Sequence, residues 1–118
     1  MTVHVVLFRP RASLTVEERG RLASVFSDTV RAIPSLRRVQ VGTRVTLARA
    51  YEAAMRTHYS HAAILEFDDV AGLREYLEHP AHDMLGRLFF EMFEEALIYD
   101  FQTIEGAEGA AALVNREA

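Results

Sequence analysis

Residues 3 to 9, Val-His-Val-Val-Leu-Phe-Arg, are apolar at nearly every position and stop at Pro10, which predicts a strand covered on both faces. Side chains alternate along a strand, so His4, Val6 and Phe8 share one face and Val3, Val5 and Leu7 the other. The pattern then changes period. Thr15 followed by Glu18 has the spacing of a capping box, and Leu22, Phe26, Val30 and Ile33 recur at helical intervals. A helix is expected over about 15–33, ended by Pro34. Residues 36–45 read as a second strand, with Gly42 the expected place for a bulge. From Leu47 to Arg56 the apolar stripe is short, which predicts a long connection carrying one or two helical turns, suited to a lid.

Residues 60–68 form the third expected strand, with His61, Ala63, Leu65 and Phe67 on one face. Asp68 or Asp69 can cap the helix that carries Leu73, Tyr76 and Leu77. Pro80 disfavours helical backbone at His79 and suits the first position of a new helix, so a break is expected there. Met84, Leu85, Leu88, Phe89, Met92 and Phe93 make the new helix strongly apolar, with Glu91, Glu94 and Glu95 as its solvated side. Residues 97–105 read as the fourth strand, and residues 106–118 as a small-residue tail outside a single domain of residues 1–105.

The order is β-α-β-β-α-β, an α+β arrangement of the ferredoxin-like kind: a four-stranded antiparallel sheet with helices on one face. The helices cover one face only, while the first strand is apolar on both. The other face therefore calls for a second sheet, which a homodimer, closing as a dimeric α+β barrel, would supply.

Composition narrows the function. The formal charge of −4 offers no basic surface for a nucleic-acid backbone. No apolar run approaches the roughly 18 residues of a membrane span, and the start at Met1 lacks the features of a leader, so a cytoplasmic location with no membrane partner is expected. With no cysteine there is no thiolate nucleophile or Cys-based zinc site. All 13 basic residues are arginine, which excludes a lysine Schiff base. No glycine-rich phosphate loop or dinucleotide fingerprint is present, and no cofactor is expected.

The polar rings are the candidate chemistry. If the first and third strands are neighbours, His4 and His61 face one cavity, with Tyr76 above and His82 opening the next helix. Val6, Phe8, Ala63, Leu65, Leu88 and Phe89 would line it, and Asp100 could orient a histidine. Each residue has a plainer reading: a strand histidine is more often a satisfied core residue, and a ring in His79-Pro80-Ala81-His82 could simply cap a helix. Metal binding by the histidine pairs 58/61 and 79/82 is disfavoured, since residues three apart on a strand face opposite ways and Pro80 interrupts the second pair.

Val-His-Val-Val-Leu-Phe, Ile33-Pro34, Val41-Gly42, Tyr59-Ser60-His61, Glu66-Phe67, Tyr76 to His82 and Tyr99-Asp100-Phe101 occur in an order that resembles the stress-responsive α/β-barrel domain (Dabb) family. The Tyr76 to His82 string is most similar to the family's plant polyketide cyclases. The resemblance implies that Tyr76 and His82 hold catalytic positions and that His4 and His61 are further pocket histidines. A proton-transfer reaction at a carbonyl needs a near-neutral base and a donor to the oxygen that gains charge, roles that fit His82 and Tyr76. The expected activity is a cofactor-free polyketide cyclase-like lyase or isomerase acting on a small carbonyl or aromatic substrate. The alternatives are a cofactor-independent monooxygenase and a non-catalytic, stress-associated ligand-binding dimer.

Overall fold

A computed structural model describes residues 1–114. The elements run β1 (Thr2–Pro10), α1 (Val16–Ala32), β2 (Leu36–Thr43), α2 (Ala50–Ala54), β3 (His61–Phe67), α3 (Val70–Glu78), α4 (Pro80–Met92) and β4 (Phe93–Gln102), followed by a 3₁₀ helix at Gly106–Leu113. The four strands form one antiparallel sheet in the order β2-β3-β1-β4. This is the expected ferredoxin-like α+β fold, with the second helix broken in two.

Local sequence explains most boundaries. Thr15 accepts from the Glu18 N–H while Glu18 reaches back to the Thr15 N–H, closing the capping box that starts α1. Asp69 caps α3 through the Gly72 N–H. His79 ends α3 in extended conformation and also starts α4, where its Nδ1 accepts from the Ala81 N–H at 3.0 Å. Pro80 occupies the first turn of α4, where a missing N–H costs nothing.

Two expectations are corrected. β4 begins at Phe93 and ends at Gln102, rather than covering 97–105. The chain passes from α4 straight into the strand because the Phe93 ring stacks on Phe8 at 4.5 Å and touches Phe89 at 4.2 Å, anchoring the junction. Glu94 and Glu95 consequently lie on β4, with Glu94 beside Arg9, and only Glu91 belongs to the helix. Gly42 pairs regularly with Ala62; the irregularity in β2 falls between Leu36 and Arg38. Within a single chain β1 buries His4, Val6 and Phe8 under the helices, while Val3, Val5 and Leu7 are half-buried on the face expected to meet a second sheet.

The core lies between the sheet and the helices, with Phe67, Ile33, Leu65 and Leu88 essentially sealed from solvent. The opposite face of the sheet stays open. Tyr99 and Phe101, paired across from Val5 and Val3, are 57% and 52% exposed. Large apolar side chains in such an array mark a surface suited to a partner. The tail expected at 106–118 begins as the 3₁₀ helix, and its residues 115–118 lie outside the described residues.

Candidate active site

The break at His79-Pro80 sets the site. It ends α3 just beyond Tyr76 and restarts the helix so that His82 falls in the first turn of α4. That turn is tied to α1 by Thr29, whose buried hydroxyl lies 2.7 Å from the Val25 carbonyl and 3.2 Å from the Ala81 carbonyl. The rings of Tyr76 and His82 meet edge to face with centroids 4.8 Å apart. Tyr76 also lies 5.9 Å from the ring of His4, which rises from the sheet below.

His4 is held from its own strand neighbour. It pairs in register with Asp100 of β4, and its Nδ1 lies 2.6 Å from the Asp100 carboxylate. This contact orients the imidazole and leaves Nε2 for the cavity. Neither Tyr76 nor His82 makes a side-chain hydrogen bond among the described residues, yet no buried side-chain nitrogen or oxygen there lacks a partner. The hydroxyl and the imidazole nitrogens therefore reach open space, not sealed apolar packing.

That space is a cavity of about 300 Å³ lined by His4, Tyr76, His82 and Asp100 among apolar side chains that include Val6, Ala63, Leu65 and Phe89. Burial acts on the titratable groups of both Tyr76 and His82. It pushes the Tyr76 hydroxyl up to about 12, so the group stays protonated. Burial also holds His82 below the ordinary imidazole value of 6.5; the neighbouring charge of His4 works in the same direction and Asp83 opposes it. A neutral imidazole thus faces a protonated phenol across one cavity.

Three of the anticipated residues, His61, Phe8 and Leu88, sit elsewhere. His61 pairs with Phe8 and stacks on its ring at 5.3 Å, whereas His4 pairs with Leu65 four residues along, a separation of roughly 13 Å. Phe8 and His61 line a separate, adjoining cavity. Leu88 is 1% exposed and packs in the core, because the α4 stripe that faces the cavity is His82, Leu85, Gly86 and Phe89, one position round the helix. Leu85, Gly86, Phe90 and Ile98 line the cavity and were not foreseen. Gly86 carries a signal of its own. Glycine inside a helix costs about 1 kcal/mol relative to alanine, and here a Cβ would point into open space.

His58 is also accounted for. Its Nδ1 lies 2.6 Å from an Arg44 guanidinium nitrogen. Among the described residues no group of three or more His, Asp or Glu is placed to hold a metal ion, and no helix is long and apolar enough to cross a membrane.

The sheet order, the broken helix and the histidine-tyrosine cavity define a ferredoxin-like domain of the α/β-barrel kind, and the comparison with known proteins agrees. The chain belongs to the Stress responsive A/B Barrel Domain family, whose model matches residues 2–103. It is 24% identical over 98 residues to olivetolic acid cyclase of Cannabis sativa, covering 83% of this chain and 92% of that protein. Among solved structures, a dimeric ferredoxin-like protein of unknown function from Thermobifida fusca is similar with a TM-score of 0.65 at 24% identity, covering 85% of this chain and 88% of that one. The hydroxynitrile lyase of Passiflora edulis gives a TM-score of 0.72 at 18% identity, covering 89% and 94%. At these identities the two structures speak to the fold.

Proposed function

We propose that the protein is a cofactor-free enzyme that removes a proton beside a carbonyl of a small polyketide-like or aromatic substrate. The carrying observation is the neutral His82 set edge-on to the protonated Tyr76 in a largely apolar cavity. An imidazole kept uncharged at neutral pH accepts a proton, and a phenol that never ionises there donates a hydrogen bond. The similarity to a plant cyclase supports an aldol-type reaction within this class.

In that reaction His82 takes a proton from a carbon flanked by two carbonyls. The C–H electrons pass into an enolate whose oxygen receives the Tyr76 hydrogen bond. The enolate carbon attacks a second carbonyl, and the imidazolium returns its proton to the new alkoxide. A carbon already acidified by two carbonyls suits a chain that has no lysine. The His4–Asp100 pair keeps the cavity floor oriented. Its 2.6 Å contact also favours a second reading, with His4 as the base, since a carboxylate that fixes one tautomer is how many general-base histidines are held. The apolar open face, together with the dimeric state of similar folds, supports a homodimer that presents one such cavity per subunit.

Substituting His82→Ala, His4→Ala and Tyr76→Phe separately and following an unstable poly-β-ketone tests the reading. Loss of product in His82→Ala and Tyr76→Phe supports it, and loss in His4→Ala with His82→Ala active transfers the base to His4. Unchanged product formation in all three folded variants would leave a ligand-binding dimer. Oxygen uptake with a phenol or anthrone would establish the oxygenase alternative instead.

A further inference from the structure

The adjoining cavity beneath α1, about 410 Å³, is larger than the one holding His82. Leu22 and Phe26 of α1 roof it, Phe8 and Ala63 floor it, and Phe89 and Phe93 close one side. Phe8, Phe89 and Phe93 form a continuous aromatic wall, with centroids 4.2 to 6.0 Å apart. Phe26, Ala63 and Phe89 line both cavities, so the two lie end to end along β1. From His4 at one end to Pro10 at the other, six residues on, the strand spans roughly 20 Å.

The polar groups of this second cavity are few. His61 has its Nδ1 engaged by the Ser60 hydroxyl at 2.7 Å, which leaves Nε2 for a ligand. Arg19, on the cavity-facing side of α1, is the one permanently charged lining residue and is exposed. Among the described residues it takes part in no ion pair; the arginine pairs there involve Arg9, Arg37 and Arg38. An apolar chamber with one cation at its rim suits an amphiphile, and the chain's net charge of −4 gives anions no general attraction that would obscure a local one.

We propose that the cavity beneath α1 binds the apolar body of an aliphatic or aryl acid whose carboxylate pairs with Arg19 at the outer rim. This rests on the proposed function only in placing the ligand's reactive carbonyl at the His82 end. The substrate class becomes a long amphiphilic acid spanning both cavities.

Titration of the isotope-labelled protein with decanoate and with decanamide, followed through the ring signals of Phe8, Phe89 and Phe93, tests it without turnover. Decanoate is expected to bind about two- to fivefold more tightly than the amide, the scale of one exposed ion pair. Arg19→Gln should erase that preference and leave amide binding unchanged, its exposed position sparing the fold. Equal binding of the two probes, a preference that survives Arg19→Gln, or ring signals that do not move would overturn the proposal. Failure of the proposed chemistry would show in the His82→Ala assay and leave this titration untouched.

Discussion

Tyr76→Phe separates catalysis from packing more cleanly than any other change in the cavity. The ring is 2% exposed and packs against Phe67, His4 and His82 at centroid distances of 5.5, 5.9 and 4.8 Å, contacts that phenylalanine keeps. The lost hydroxyl makes no side-chain hydrogen bond among the described residues, so stability should change by no more than about 0.5 kcal/mol. For a domain of this size that is a Tm shift of roughly 2 °C. Removing a donor to a developing oxyanion, by contrast, costs on the order of 100- to 1000-fold in kcat, or about 2.7–4 kcal/mol. Because the interaction strengthens only as charge develops, kcat and kcat/KM should fall together while KM holds. Hydrogen-deuterium exchange at the central carbon of an alkyl-substituted β-keto ester, corrected for the buffer rate, supplies the kinetics, and thermal unfolding supplies the stability. Tyr76→Ala is the packing control and should cost about 3–5 kcal/mol. Full exchange activity in Tyr76→Phe, or a loss matched by a Tm drop of many degrees, would refute the assignment.

Other consequences concern packing, protonation and assembly. Leu88→Ala should destabilise by about 2–5 kcal/mol while the folded fraction keeps its kcat, because Leu88 belongs to the core and not the cavity wall; chemical denaturation and kinetics on one sample would show this. The lowered folded value of His82 means the unfolded chain binds its proton more readily. Stability from this group is therefore complete above 6.5 and declines as pH falls from 6.5 through the folded value, and Tm against pH should flatten in that window in His82→Gln. Tyr99→Glu places a charge on the open apolar face, so ultracentrifugation should show a homodimer in the parent chain and a monomer in the variant. A monomeric parent chain would remove the homodimer.

Much of the candidate site's layout was legible before the fold was known, because its features are local. The His79-Pro80 break follows from one proline, and it places Tyr76 and His82 on either side of a helix restart. The alternation of β1 put His4 on the inner face, and the same rule put Asp100 where it could reach a histidine. What stayed hidden depends on register. His4 and His61 do share a sheet face, but the pairing that sets them four residues apart is a property of two strands together, which neither segment encodes alone. The start of β4 was hidden for a different reason. The apolar period of α4 runs through Phe93 without a stop signal, and only the stacking of Phe93 on Phe8 shows where the helix ends. Leu88 and Leu85 are likewise both apolar on one helix, and which of them meets the cavity depends on the helix's rotation against α1.

The most direct measurement of the central claim is kcat/KM against pH for the exchange reaction in the parent chain and in His82→Ala. The parent profile should show an acidic limb falling below 6.5, where the imidazole gains its proton, and a plateau through neutrality. His82→Ala should lose about 100- to 10,000-fold on the plateau together with that limb. An unchanged rate, or the same acidic limb persisting in the folded variant, would contradict His82 as the base.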